Sequence, residues 1–132
     1  MNSLPKVTVL TTVFNGMPYI AEAVESIINQ TFQDWEYIIV NDGSTDGTYL
    51  YLLTLVDPRI RVLNSSRIGR GKALNLGISK SLAEYISILD ADDVSCIERL
   101  EYQIQVLELN QNIAFLSTNS MAGNSYKRVD KK

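Results

Sequence analysis

The chain predicts an α/β domain, a mainly parallel open sheet with helices on both faces. Three observations lead there. Apolar, β-branched runs of strand length alternate with stretches of helical period along most of the chain. Alternation of that kind implies βαβ units and parallel strands. Turn formers such as Asn41-Asp42-Gly43-Ser44 punctuate the boundaries. The length, 132 residues, suits one domain with one core.

The first strand is read over Lys6 to Val13. Pro18 suits the first turn of the helix that follows, where its missing N–H costs nothing. Ile20, Ala23, Val24, Ile27 and Ile28 fall at helical spacing and form one apolar face. Trp35 to Val40 is a second strand, with Trp35 and Tyr37 read as packing residues. A short helix over about 47–56 is closed by Pro58. Ile60 to Leu63 is a third strand, Lys72 to Leu82 a third helix, and Tyr85 to Leu89 a fourth strand. Ile97, Leu100, Ile104 and Leu107 mark an amphipathic helix whose other side carries Glu98, Glu101, Gln105 and Glu108. Ile113 to Ser117 reads as a fifth strand, and residues 119–132 as a polar, poorly ordered tail. Residues 1–118 are thus taken as one packed unit.

Composition narrows the function classes. Hydrophobic residues make up 45% and charged residues 20%, ordinary for a soluble globular protein. No apolar run approaches the roughly 18 residues of a membrane span, and no basic-then-apolar signal opens the chain. The net charge of −3 argues against a nucleic-acid partner. A lone Cys96 excludes an internal disulfide framework and fits a reducing compartment. No His is present, so acid–base chemistry falls to carboxylates, Lys or Tyr.

Right-handed crossovers place the strand C-termini along one edge, where open α/β sheets bind ligands. Four loops then share that edge: Thr12-Val13-Phe14-Asn15, the Asp42 loop, Arg67-Ile68-Gly69-Arg70-Gly71-Lys72, and Asp90-Ala91-Asp92-Asp93. The last places three carboxylates in four positions, which repel unless something positive sits between them. With no His or Cys beside them, they suit a hard cation such as Mg²⁺ or Mn²⁺. If the chain stays extended, Asp90 and Asp92 share a direction. The competing reading is a helix entry, with Ser95-x-x-Glu98 as a capping box and Asp93 ahead of it. Asp42 is read either as an Asx-turn residue or as an acceptor for a ligand N–H or hydroxyl. Asp42-x-Ser44-x-Asp46-Gly47 mimics a calcium loop, but Leu53 stands where the twelfth-position Glu is required. The 67–72 loop offers two Gly and three cations before a helix, either a diphosphate cradle or a solvated basic loop. It has neither Walker A nor Gly-x-Gly-x-x-Gly spacing.

Taken together, these segments resemble the family-two inverting glycosyltransferases of the GT-A fold. The resemblance rests on Val9 to Gly16, Ser26 to Glu36, Val40 to Thr48, Gly71 to Ile78 and Leu89 to Asp93, in the family's order and spacing over roughly residues 5–117. It implies a nucleotide-diphosphate sugar, first of all a UDP-sugar, as donor. Thr12 and Phe14 would line the base pocket, Asp42 would accept a hydrogen bond from the base, Asp90 would contact the ribose, and Asp92 would ligate the divalent cation. Asn41 stands where the family has its first Asp, and Leu74 where it commonly has an Arg. Lys72 or Arg70 would supply the cation instead. The resemblance also implies an acceptor-binding half, so the general base is expected beyond Lys132, with little or no transfer from these residues alone. It further implies a cytoplasmic location, an acceptor it does not identify, and apolar surface open to self-association or to peripheral membrane contact through partners. Two other readings remain: a non-catalytic nucleotide-sugar-binding module, and a haloacid-dehalogenase-like phosphatase suggested by Leu89 to Val94. The phosphatase motif belongs near the start of its domain, whereas here it follows the fourth strand.

Overall fold

A computed structural model describes residues 3–119. Four strands, β1 (Val7–Val13), β2 (Trp35–Asp42), β3 (Ile60–Ser65) and β4 (Tyr85–Ile88), alternate with α1 (Ile20–Ile28), α2 (Thr48–Leu52), α3 (Arg70–Lys80) and α4 (Arg99–Leu109). The sheet order is β3-β2-β1-β4 and every pairing is parallel. β1 and β2 occupy the middle and are almost wholly buried, which explains their near-continuous apolar sequences.

Side-chain alternation divides the core between two faces. Val7, Val9, Val13, Tyr37 and Ile39 pack with Ile20, Val24 and Ile27 of α1, Leu52 of α2 and Leu100 and Ile104 of α4. Leu10, Ile38 and Val40 point the other way and meet Ala73 of α3. Helices therefore cover both faces, as predicted. α3 lies close against the sheet because its inward residues are small. A methyl group on Gly77 would collide with the Leu10 side chain.

At the N-terminal edge of the sheet a buried carboxylate has a structural use. Glu36 accepts hydrogen bonds from Thr8 Oγ1 at 2.6 Å, the Leu82 N–H at 2.7 Å and Arg61 Nη2 at 2.6 Å. Burial alone would push this carboxyl up, but the three donors, one of them the charged Arg61 guanidinium, outweigh it and hold it below its ordinary value.

The structure corrects several local expectations. Helix α1 starts at Ile20, so Pro18 lies in the turn ahead of it. The second helix is shorter than predicted and ends at Leu52. No fifth strand forms over Ile113 to Ser117; a strand needs a ladder partner, and Phe115 stands 82% exposed. The Ser95–Glu98 capping box is not made, because α4 begins only at Arg99. Its Leu100 N–H is instead taken by Gln30 Oε1, at 3.0 Å, from beyond the end of α1. Asp93 therefore caps nothing. The predicted tail lies outside the described residues apart from Asn119. Among the described residues no helix is long and apolar enough to cross a membrane.

Candidate functional site

Parallel pairing delivers the C-terminal ends of all four strands to one edge, and the four loops singled out from the sequence meet there. Thr12 is half-buried near the end of β1, and Phe14 follows it, partly exposed. Asn15 then takes a left-handed conformation, φ 52°, which short polar side chains tolerate. In that position its Oδ1 accepts the Thr45 N–H at 2.7 Å, and its own N–H reaches Ser44 Oγ at 3.0 Å. Gly16 N–H donates to Thr48 Oγ1, and Met17 N–H donates to Asp46 Oδ2. Asp46 also accepts the Thr48 N–H at 2.9 Å, at the entry to α2. Hydrogen bonds to Thr48 and Met17 hold its carboxyl below the ordinary value. The loops after β1 and β2 are thus clasped to one another.

Asp42 ends β2 and is only 2% exposed. Its Oδ1 accepts Ser65 Oγ at 2.8 Å and the Ile68 N–H at 2.7 Å. Its Oδ2 accepts the Gly69 N–H at 2.8 Å, with the Arg67 guanidinium 3.7 Å away. Burial pushes this carboxyl up, yet Ser65, the two backbone donors and Arg67 outweigh it and keep it below its usual range. The anion thereby shapes the loop between β3 and α3. Arg67 adopts φ 58°, and its guanidinium carbon lies 3.4 Å from the centre of the Phe14 ring. The 67–72 segment reads from sequence as a diphosphate cradle or a solvated basic loop, with three cations. The stacking of one of them on Phe14 carries no sequence signal, because it joins residues on two loops.

The acidic segment is built differently. β4 ends at Ile88, and the Asp93 N–H bonds back to the Asp90 carbonyl at 3.1 Å. The chain turns here and does not stay extended, so strand alternation does not orient Asp90 and Asp92. Arg70, in the first turn of α3, donates to Asp90 Oδ1 at 2.8 Å, both side chains being exposed. Lys72 is exposed on the same turn and makes no ion pair among the described residues. Asp92 is exposed and accepts no hydrogen bond there. Burial, then the charges of Asp92 and Asp90, push the Asp93 carboxyl above its ordinary value, opposed by Arg99. Negative charge is therefore in excess at this turn, and every available donor is an oxygen, which fits a hard divalent cation. Among the described residues no three acidic or Cys side chains close into a complete cage. A cation held by Asp92 would draw its other ligands from water and from a phosphate-bearing ligand, as Mg²⁺ commonly does.

Comparison with known proteins identifies the architecture. The family model described as "Glycosyl transferase family 2" matches residues 8–131. The chain belongs to that family. It is 38% identical over 128 residues to an uncharacterised glycosyltransferase of Rickettsia bellii, covering 96% of this chain and 18% of the relative. It is 40% identical over 105 residues to glycosyltransferase GlyG of Streptococcus pneumoniae, covering 75% of this chain and 35% of the relative. The chain thus spans well under half the length of these curated relatives. Among solved structures, S. aureus TarS 1–349 in complex with UDP-GlcNAc superposes with a TM-score of 0.75 at 24% identity, over 80% of this chain and 32% of that one. The mannosyltransferase PcManGT of Pyrobaculum calidifontis, in complex with GDP-Man and Mn²⁺, superposes with a TM-score of 0.71 at 26% identity, over 80% and 33%. The fold is therefore that of the GT-A glycosyltransferases.

Proposed function

We propose that this chain is the donor-binding part of a glycosyltransferase that holds a nucleotide-diphosphate sugar with Mg²⁺ or Mn²⁺ for inverting transfer. One observation supports it above the others. The residues Phe14 and Asp42, the cations Arg67, Arg70 and Lys72, and the acids of the 90–93 turn, which outnumber their cationic partners, lie on one sheet edge of a family-two domain. In this reading Thr12 and Phe14 line the base pocket. Asp42 meets a base N–H through the Oδ2 lone pair that Gly69 leaves open. Asp90 accepts from the ribose hydroxyls. Lys72 or Arg70 neutralises part of the diphosphate, and Asp92 ligates the cation. When bound, that cation offsets the charge that builds on the leaving diphosphate. A UDP-sugar is the first choice of donor. TarS is described with UDP-GlcNAc, while PcManGT is described with GDP-Man, so the base is a point to be measured.

None of these residues is assigned to deprotonating the acceptor hydroxyl. Asp90 and Asp92 are committed to the donor and the cation, and a general base must reach the acceptor proton directly. A cytoplasmic location belongs to the same reading, since that is where such donors are usually found.

Calorimetric titration of UDP and of GDP, with Mn²⁺, with Mg²⁺ and with a chelator, tests the assignment. UDP binding strengthened by the cation, with the gain lost in Asp92→Asn, is expected. Failure of both nucleotides to bind under every condition would overturn it.

A further inference from the structure

The acidic turn sits on an irregular stretch, so its position depends on what anchors its two ends. The incoming end is tied to β1. Leu89 N–H donates to the Leu10 carbonyl at 3.1 Å, and Thr11 Oγ1, itself 2.8 Å from Tyr37 Oη, donates to the Leu89 carbonyl at 2.7 Å. The outgoing end has no ladder or helix to hold it, because residues 93–96 lie between β4 and α4 in no regular element. Its anchor comes from the C-terminal end of α1.

Gln30 is the centre of that anchor and is only 1% exposed. Its amide Nε2 donates to the Cys96 carbonyl at 2.7 Å and lies 3.1 Å from Ser95 Oγ and 3.0 Å from the Ser26 carbonyl. Its Oε1 accepts the Leu100 N–H. One side chain thus joins the end of α1, the exit from the acidic turn and the start of α4. Ser26 reinforces it by accepting the Ser95 N–H at 3.0 Å, and the Thr31 N–H donates to the Ile97 carbonyl at 2.9 Å. Arg99 Nε donates to Ser95 Oγ at 2.7 Å, which places a cation under the same stretch.

We propose that Gln30 is a positioning residue for the cation site: it fixes the outgoing end of the Asp90–Asp93 turn from behind, with Ser26 as its auxiliary. The inference rests on the assignment of Asp92 to the cation. Outer residues that orient ligating carboxylates commonly control metal affinity by roughly 10–100-fold. The site tolerates little displacement, because ligand atoms must keep their geometry to within about half an ångström. The base-side loops do not depend on this anchor. Their hydrogen bonds run among Asn15, Asp42, Ser44 to Thr48 and Ser65 to Gly69. Gln30 should therefore separate the two halves of the site, which a residue serving the fold alone would not do.

The test titrates UDP into the parent chain, Gln30→Met, Ser26→Ala and Asp92→Asn, each with Mn²⁺ and with a chelator. Exchange of the Ser95 and Leu100 amides is followed in parallel. In Gln30→Met the Mn²⁺-dependent gain in UDP affinity should shrink by roughly tenfold or more. Ser26→Ala should lose less of it. Affinity in chelator should match the parent's in both, while the Ser95 and Leu100 amides exchange faster in Gln30→Met. Equal losses with Mn²⁺ and with chelator would overturn the inference, as would an undiminished gain in a folded Gln30→Met. If Gln30→Met does not fold, the same two readouts on Ser26→Ala decide. A parent chain that binds UDP without any Mn²⁺-dependent gain would instead refute the cation assignment beneath it.

Discussion

The Asp42 loops and the acidic turn share one sheet edge but are built in opposite ways. Around Asp42, both carboxylate oxygens have protein donors, and the loops after β1 and β2 bond to one another. At the acidic turn, Asp90 has one exposed partner in Arg70, Asp92 has none among the described residues, and Asp93 is made costlier by its neighbours. An anion with several donors stabilises the fold that supplies them. Anions crowded together cost stability, and an added cation relieves that cost. In the first region the protein supplies donors to both carboxylate oxygens. In the second, the protein's own partners leave negative charge in excess.

Removing one charge from each region should therefore have unequal effects. Asp42→Asn places an amide NH₂ against donors that need an acceptor. It is expected to lower stability by about 2–3 kcal/mol, measured by urea unfolding. A change near zero would mean that Asp42 does not hold the 65–69 loop. Acid should give the next largest effect. Asp42, Asp46 and Glu36 all have carboxyls held below their ordinary values in the fold. Their contribution is fully present above the ordinary carboxyl range and is lost as pH falls through the folded values. Stability should thus decline as pH is lowered below about 5, less steeply in Asp42→Asn than in the parent. Asp93, raised by burial and by Asp92 and Asp90, works in the opposite direction and becomes less costly as it gains a proton.

Asp92→Asn should leave the melting temperature unchanged or slightly higher in the absence of a cation, because it relieves repulsion. A loss as large as that of Asp42→Asn would erase the contrast between the two regions. Arg70→Ala should give the smallest effect, below about 0.5 kcal/mol in unfolding experiments, since exposed ion pairs contribute little.

The strands, their parallel arrangement and the gathering of four loops on one edge were legible in the sequence. Apolar runs such as Val7–Val13 and Trp35–Asp42 carry that information directly, because burial on both faces demands it. Thr12, Phe14, Asp42, Lys72, Asp90 and Asp92 all lie on the expected edge. Less of the local geometry could be read. Ser95-x-x-Glu98 has the form of a capping box, yet a side chain 70 residues away caps α4. Ile113 to Ser117 has strand composition but no paired neighbour. For Asp90 to Asp93 the sequence left extension and a helix entry both open, and the chain instead turns once β1 pairing ends at Leu10.

By itself the sequence determined which residue types arrive at which strand end, because solvent exclusion acts on each segment through its own period. The tertiary structure alone decided how those side chains are used. Asp42 is bonded to a loop more than twenty residues on, Arg67 lies over Phe14, and Gln30 secures the exit from the acidic turn. Each of these joins positions far apart in the chain. Hydrogen bonds and stacking act over a few ångströms, and only folding brings such partners within that range.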